Sequence, residues 1–197
     1  MLTHPERTDA ENMQPVTPPS RASAEDLRRF LQEARALGVP ADHGRSRALR
    51  RVREPAHLEF IGIDTQQRAQ WLAPRAASAW RRMQAAAAAD SIELQVVSAF
   101  RSVEYQLGIV RRKRERGQTI AEILRVSAAP GYSEHHSGRA LDLTTPGHAP
   151  LEEEFEASPA FAWLRAHATR FGFRMSYPRD NPHGIAYEPW HWCWHAR

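Results

Sequence analysis

The sequence predicts an α+β fold in which helices pack on a small central antiparallel sheet. Helix-period apolar patterns cluster early in the chain, whereas short strand-like runs bounded by turn residues cluster late. The 197 residues contain no internal repeat, and 42% of them are hydrophobic, which is enough for the core of one domain. We therefore expect one principal domain with room for an additional arm.

The chain is predicted to have three parts. Residues 1–22 are polar and proline-rich, which is typical of a disordered leader. Residues 23–56 form an N-terminal helical arm, whose helix begins at the N-cap candidate Ser23. Residues 57–197 form the main domain and contain every motif discussed below.

The first half of the main domain is predicted to form strand, helix and strand. The run HLEFIGI (57–63) alternates like a strand, and its register shifts at Gly62, which indicates a bulge or the end of the strand. A long helix is expected over about 66–89, with Pro74 early in it. The apolar run IELQVVSAF (92–100) predicts the next strand.

The second half is predicted to alternate between helices and strands. We expect a helix in RSVEYQLGIVRRKRERG (101–117) that Gly117 ends, a short helix at about 120–124 and a strand in GRALDL (138–143). A helix from 159 to about 171 and strands in GFRMSYP (172–178) and IAYEPWHW (185–192) follow. Ser158 is the N-cap candidate of the last helix, with Pro159 at its first position and Gly172 beyond its end.

Composition excludes several classes of protein. No stretch of 18 apolar residues is present, so we expect no membrane span, and the N-terminus lacks the apolar region of a secretory signal. The place of action stays open between the cytoplasm and export to the periplasm by another route. The single cysteine, Cys193, excludes an internal disulfide and a thiolate-rich metal site. We expect a monomer.

The formal net charge is +4, and nearly all of the positive charge is arginine, since Lys113 is the only lysine. The basic runs RSRALRRVR and RRKRERG are more typical of solvated faces than of a nucleic-acid site. No zinc-finger or RNA-binding signature accompanies them, so we expect no nucleic-acid partner.

The stretch YSEHHSGRALDL (132–143) suggests a metal site. His135 and Asp142 lie seven residues apart across Gly138, which permits a turn before the strand. His191, between two tryptophans, is the natural third ligand. Two histidines and one carboxylate with a fourth position open are typical of catalytic zinc. A single histidine is more often a hydrogen-bonded residue than a metal ligand. The hypothesis of a metal site therefore rests on the three residues together.

Two motifs together are specific. They are SxHxxGxAxD, formed by Ser133, His135, Gly138, Ala140 and Asp142, and ExWH, formed by Glu188, Trp190 and His191. With SAFRS and FGFRMSYP, they resemble the VanY-type zinc D-alanyl-D-alanine carboxypeptidase family over about residues 72–194. That family is similar to D-Ala-D-Ala dipeptidases, phage endopeptidases and the hedgehog-like zinc domain.

The resemblance implies a role for each matching residue. It makes His135, Asp142 and His191 ligands of Zn²⁺, Glu188 the catalytic base, Arg101 a catalytic and substrate-binding residue, and Ser133 and Trp190 substrate contacts. It also makes residues 57–197 a zinc peptidase domain and peptidoglycan stem peptides or muropeptides its substrates. Relatives often follow the WH with an aromatic residue, arginine and tyrosine, whereas Cys193 and Trp194 follow Trp192 here, so the far edge of the groove differs in sequence.

The expected chemistry requires a bend near the third ligand. Zinc lowers the pKa of a water molecule from about 15.7 to about 7, and Glu188 would accept the proton. Residues three apart in a regular strand face opposite sides, so we expect irregular backbone at 188–190, favoured by Pro189. His136 should point away from the metal, and Cys193 should be a packed thiol.

Several alternatives stay open at this stage. The enzyme could remove the terminal D-alanine as a D,D- or an L,D-carboxypeptidase, or cut within the stem like a phage lysin. The domain could also be a zinc-stabilised binding module without catalysis. Arg101 could hold the carboxylate of the substrate or stabilise the developing oxyanion.

Overall fold

The structure, a computed structural model, describes residues 17–196. Its helices are α1 (Ala24–Ala36), α2 (His43–Ser46), α3 (Pro74–Ala89), α4 (Val103–Glu115), α5 (Ile120–Arg125) and α6 (Pro159–His167). Its strands are β1 (Glu59–Ile63), β2 (Ala69–Leu72), β3 (Gln95–Ser98), β4 (Ala140–Thr144), β5 (Phe173–Met175) and β6 (His191–Trp194). Most of the leader predicted for residues 1–22 lies outside the described residues.

The central sheet has four antiparallel strands in the order β3-β4-β6-β5, and β1 and β2 form a separate hairpin. The predicted α+β class with a small antiparallel sheet is therefore confirmed. In the register of β4 and β6, Asp142 lies opposite His191. The central strands thus bring together two residues that are 49 positions apart in the sequence.

The main core lies between α3 and one face of the sheet. Trp80 and Met83 of α3 are fully buried in the same apolar cluster as Leu141 and Leu143 of β4. Side chains alternate along a strand, so Asp142, between the two leucines, points to the opposite face. That face carries the candidate site, and all five residues of β4 are buried.

The N-terminal helix packs on α4. Phe30 and Ala34 of α1 share a second buried cluster with Val103 and Leu107 of α4. As predicted, Ser23 is the N-cap of α1, since its hydroxyl accepts a hydrogen bond from the Asp26 N–H at 3.0 Å. The division into leader, arm and main domain stays a prediction. No helix within residues 17–196 has both the length and the apolar character needed to cross a bilayer.

Two sequence expectations about element boundaries are wrong. The helix predicted over 66–89 is divided into β2 and α3, which begins at Pro74. Proline lacks an N–H and disfavours helical backbone in the preceding residue, and Ala73 is extended (φ −62°, ψ 145°). The strand predicted over 185–192 begins only at His191, because residues 189–190 form a turn.

Candidate active site

The three predicted metal ligands meet at one point. His135 comes from a 3-10 turn (Glu134–Ser137), Asp142 from β4 and His191 from the first position of β6. Their ligand atoms all lie within 4.8 Å of one another, and all three residues are buried. Gly138, at φ +63°, joins the turn to β4, where an added Cβ would lie 2.9 Å from the backbone nitrogen of Ala73.

The donor set fits a divalent metal that prefers nitrogen and oxygen. Oδ1 of Asp142 lies 2.9 Å from Nδ1 of His191, and its Oδ2 lies 3.2 Å from Nε2 of His135. The latter nitrogen is buried and has no partner in hydrogen-bonding geometry. Two imidazole nitrogens and one carboxylate, without a thiolate, match catalytic zinc centres.

Each ligand imidazole is oriented by a partner on its other nitrogen. Nδ1 of His135 lies 2.5 Å from the Ala99 carbonyl, which can only accept, so Nδ1 donates and Nε2 keeps its lone pair. Nε2 of His191 lies 2.9 Å from Oε2 of Glu134, which also accepts the Ser176 hydroxyl at 2.6 Å. Carbonyl and carboxylate partners of this kind set the tautomer of metal-bound histidines.

The two histidines differ in proton affinity without a metal. Burial lowers the pKa of His135 to about 4, and the positive charge of Arg101 acts in the same direction. Burial would also lower the pKa of His191, but its hydrogen bonds with Asp142 and Glu134 outweigh burial and raise the pKa to about 10. A metal at Nδ1 of His191 would therefore take the place of a proton.

The carboxylate of Glu134 should contribute to metal affinity. We expect Glu134→Gln to weaken zinc binding by about 10- to 100-fold, because the neutral amide is a poorer acceptor for Nε2 of His191. Competition with a chelator of known affinity would measure the change. Ser176→Ala is the matched control, since it removes the other partner of Glu134 and keeps the carboxylate. Equal affinity in the wild type and Glu134→Gln would refute this role.

Glu188 reaches the same point through a turn. The N–H of His191 donates to the Glu188 carbonyl at 3.1 Å, with Pro189 at the second position of the turn. Oε2 of Glu188 consequently lies 3.8 Å from Nδ1 of His191. The expected irregular backbone at 188–190 is thus confirmed. Burial raises the pKa of Glu188 to about 7, against the positive charge of His191.

An open groove of about 470 Å³ runs over these residues. Its lining includes all seven predicted site residues, which are Arg101, Ser133, His135, Asp142, Glu188, Trp190 and His191. Nη1 of Arg101 lies 3.7 Å from Oδ2 of Asp142, so its charge faces the candidate metal position. Ser133 is buried, and Trp190 is partly exposed.

His136 and Cys193 are not members of the cluster formed by His135, Asp142 and His191. His136 is in the 3-10 turn rather than in an extended segment, and it hydrogen bonds to the Arg101 carbonyl at 2.7 Å and the Gly131 N–H at 3.1 Å. Cys193 is a buried thiol, and burial raises its pKa well above the ordinary value. Glu134, Cys193 and His195 also bring ligand atoms together, but Glu134 is already bonded to His191 and Ser176.

Three further residues of the site were not predicted. Glu134 stands between Ser133 and His135 in the sequence, so its position in the motif could have suggested a role. Tyr177 packs its ring 4.8 Å from that of His191 and lines the groove, and Lys113 lines it from α4. No local pattern marks the last two, because only the folded chain brings them to the groove.

Comparison with known proteins decides the family. Residues 69–197 match the profile of the VanY family, described as D-alanyl-D-alanine carboxypeptidase. The chain belongs to the VanY family. The match includes every predicted ligand and Glu188, and the family resemblance inferred from the motifs is confirmed.

Curated VanY relatives are longer than this chain. The putative carboxypeptidase YodJ of Bacillus subtilis is 33% identical over 128 residues, which cover 61% of this chain and 45% of the relative. A D-alanyl-D-alanine carboxypeptidase of Enterococcus faecalis is 33% identical over 117 residues, which cover 54% and 42%. The chain thus spans less than half the length of these two relatives.

Solved structures share the fold. The LD-carboxypeptidase LdcB superposes with a TM-score of 0.65 at 27% identity, covering 72% of this chain and 69% of that one. A mutant of the D,D-pentapeptidase VanY, solved with Zn(II), superposes with a TM-score of 0.55 at 28% identity, covering 72% and 82%.

Proposed function

We propose that this VanY-family chain is a zinc metallopeptidase that removes the C-terminal D-alanine from peptidoglycan stem peptides. One observation carries the proposal: a two-histidine, one-carboxylate cluster lies beside the partly buried carboxylate of Glu188 in an open groove. The zinc complex of a VanY relative supports the choice of metal. Ligands alone would fit a binding site, whereas a base of raised pKa beside them fits hydrolysis.

His135, Asp142 and His191 would hold the zinc ion. When bound, zinc supplies a Lewis acid that polarises the scissile carbonyl and lowers the pKa of water. The ring orientations described above keep one imidazole lone pair of each histidine directed at this position. Buried, oriented ligands need little rearrangement on binding, which favours high metal affinity.

The remaining steps fall to side chains of the groove. Glu188 accepts a proton from the attacking water at its carboxylate and passes it to the leaving amine as the peptide bond breaks. Arg101, 3.7 Å from Asp142, is placed to stabilise the negative charge that develops on the carbonyl oxygen. The hydroxyl of Ser133 and the indole of Trp190 line the groove and would hold the peptide.

An L,D-carboxypeptidase is a second candidate. LdcB, an LD-carboxypeptidase, superposes with a higher TM-score than the D,D-pentapeptidase does. The two activities share the metal, the base and the terminal D-alanine, and they differ in the residue that precedes it.

We propose muropeptides as partners, a monomeric enzyme and no nucleic-acid partner. We also propose that the enzyme acts on recycled fragments in the cytoplasm or on the wall after export by another route.

Mass-spectrometric digestion of defined muropeptides would test the proposal. We expect zinc-loaded protein to release one D-alanine from a pentapeptide stem, and chelation to stop the reaction. Release from the tetrapeptide instead would identify the L,D activity. An internal cut would indicate an endopeptidase. Zinc binding at one ion per chain with no cleavage of any stem would refute hydrolysis and favour a binding module.

A further inference from the structure

The only lysine of the chain lies in the active-site groove. Lys113 occupies the last turn of α4 and lines the groove together with Ile109, one turn earlier on the same helix face. Its neighbours Arg112 and Arg114 are exposed, whereas Lys113 is partly buried. The basic run predicted as a solvated face thus contributes one cation to the site.

Within residues 17–196, the ammonium of Lys113 has no acidic partner. Among residues 17–196, no carboxylate oxygen lies within 4.0 Å of it and no hydrogen bond satisfies it. Burial lowers its pKa, as does the charge of Arg101, while the charge of Glu188 raises it. Arg101, Lys113 and Glu188 line the same groove, and an arriving anion would relieve part of the cost of desolvating the ammonium.

Arg101 and Lys113 are placed for different tasks. Arg101 is directed at the metal ligands, 3.7 Å from Asp142, where the reacting carbonyl must lie. Lys113 is outside the contacts of the metal cluster but lines the same groove. A C-terminal peptide presents its carboxylate one residue beyond the scissile carbonyl. A carboxypeptidase transition state carries two negative charges, one on the reacting carbonyl oxygen and one on the C-terminal carboxylate. Arg101 is placed for the first charge and Lys113 for the second.

The other charged residues of the groove are acids or are already paired, so Lys113 is the favoured site for the carboxylate of a substrate. Glu152 and Glu153 also line the groove, and Glu153 forms an ion pair with Arg179 at 3.3 Å. An incoming carboxylate would be repelled by these acids and by Glu188. Of the two basic side chains in the lining, Arg101 pairs with Asp142, whereas Lys113 forms no ion pair with a carboxylate among residues 17–196.

We infer that Lys113 binds the free α-carboxylate of the C-terminal residue of the substrate and makes this site selective for chain ends. The inference rests on the proposed function, and it decides between a carboxypeptidase and an endopeptidase. An internal peptide bond offers no carboxylate at that position, so the ammonium would stay unpaired and partly desolvated. Lys113 acts by binding the substrate and not by transferring a proton.

Paired substrates would isolate this contact. We would measure kcat and KM for an acetylated tripeptide ending in D-alanyl-D-alanine and for the same peptide ending in D-alaninamide. For Lys113→Met we expect kcat/KM on the free acid to fall by about 10- to 100-fold, mainly through KM, with the amide unaffected. Lys113→Arg should retain most of the preference. Arg114→Met, which removes an exposed charge outside the groove, should behave as the wild type.

Other outcomes would overturn the inference. An unchanged acid preference in Lys113→Met would assign the carboxylate to another residue, such as Arg101. An equal fall in kcat on both substrates would mean that Lys113 acts on Glu188. If the wild type cleaves neither peptide, the proposed D,D-carboxypeptidase activity fails. Calorimetric binding of the free acid to the zinc-loaded wild type and to Lys113→Met then tests the contact, and equal affinities refute it.

Discussion

Glu188→Gln is expected to lower kcat by about 10²- to 10⁴-fold, with zinc content unchanged at one per chain and KM little altered. The amide keeps the size of the side chain but cannot accept a proton from water. Since Glu188 is not among the metal ligands, metal retention should not depend on its charge. Single-turnover digestion of a stem peptide, with metal content measured on the same sample, would check both expectations.

A control variant and the pH profile sharpen this test. Glu154→Gln removes an exposed carboxylate outside the groove and should leave kcat unchanged. In the wild type, protonated Glu188 cannot act as a base, so kcat/KM should fall as the pH is lowered through its pKa. Burial raises that pKa from 4.5 to about 7, and the charge of bound zinc lowers it again, so the acidic limb should lie between these values. A Glu188→Gln variant that keeps the wild-type kcat would exclude Glu188 as the base.

Asp142→Ala is expected to abolish stable zinc binding and to lower the free energy of unfolding of the metal-free protein by about 3 to 5 kcal/mol. Asp142 is buried and lies within 3.2 Å of both ligand histidines. Its removal deletes one of three metal donors. It also leaves the positive charges of Arg101 and His191 without their shared buried counter-charge.

Denaturant unfolding with and without zinc would separate the two effects. Zinc should raise the unfolding midpoint of the wild type and leave that of Asp142→Ala unchanged. Asp64→Ala is the matched control. Asp64 is also a buried carboxylate, bonded to Arg68 and Gln70 at 2.7 Å each, but it lies in the turn between β1 and β2. That variant should lose stability and keep the zinc response. A zinc-induced shift that persists in Asp142→Ala would remove Asp142 from the ligand set.

The helix-terminal signals were reliable because they act over a few residues. Ser158 caps α6, Pro159 begins it, and Gly172 at φ +89° follows the short turn after it, all as predicted. The same local chemistry explains the main error. The apolar pattern predicts Pro74 inside a long helix, but its missing N–H suits a first helical position. The helix α3 consequently begins at Pro74, and Trp71 lies in β2.

The sequence by itself predicted the fold class, because helix-period patterns cluster early and strand patterns cluster late. Two motifs and the family that they resemble predicted the three candidate metal ligands and Glu188. The sequence also required a bend at Pro189, since Glu188 and His191 could not otherwise share one face. Only the tertiary structure decided how these residues are supported. Glu134 supports His191 from 57 positions away, and the Ala99 carbonyl orients His135 from 36 positions away. Lys113 enters the groove because α4 lies along it, and no local pattern encodes contacts made across such distances in the chain.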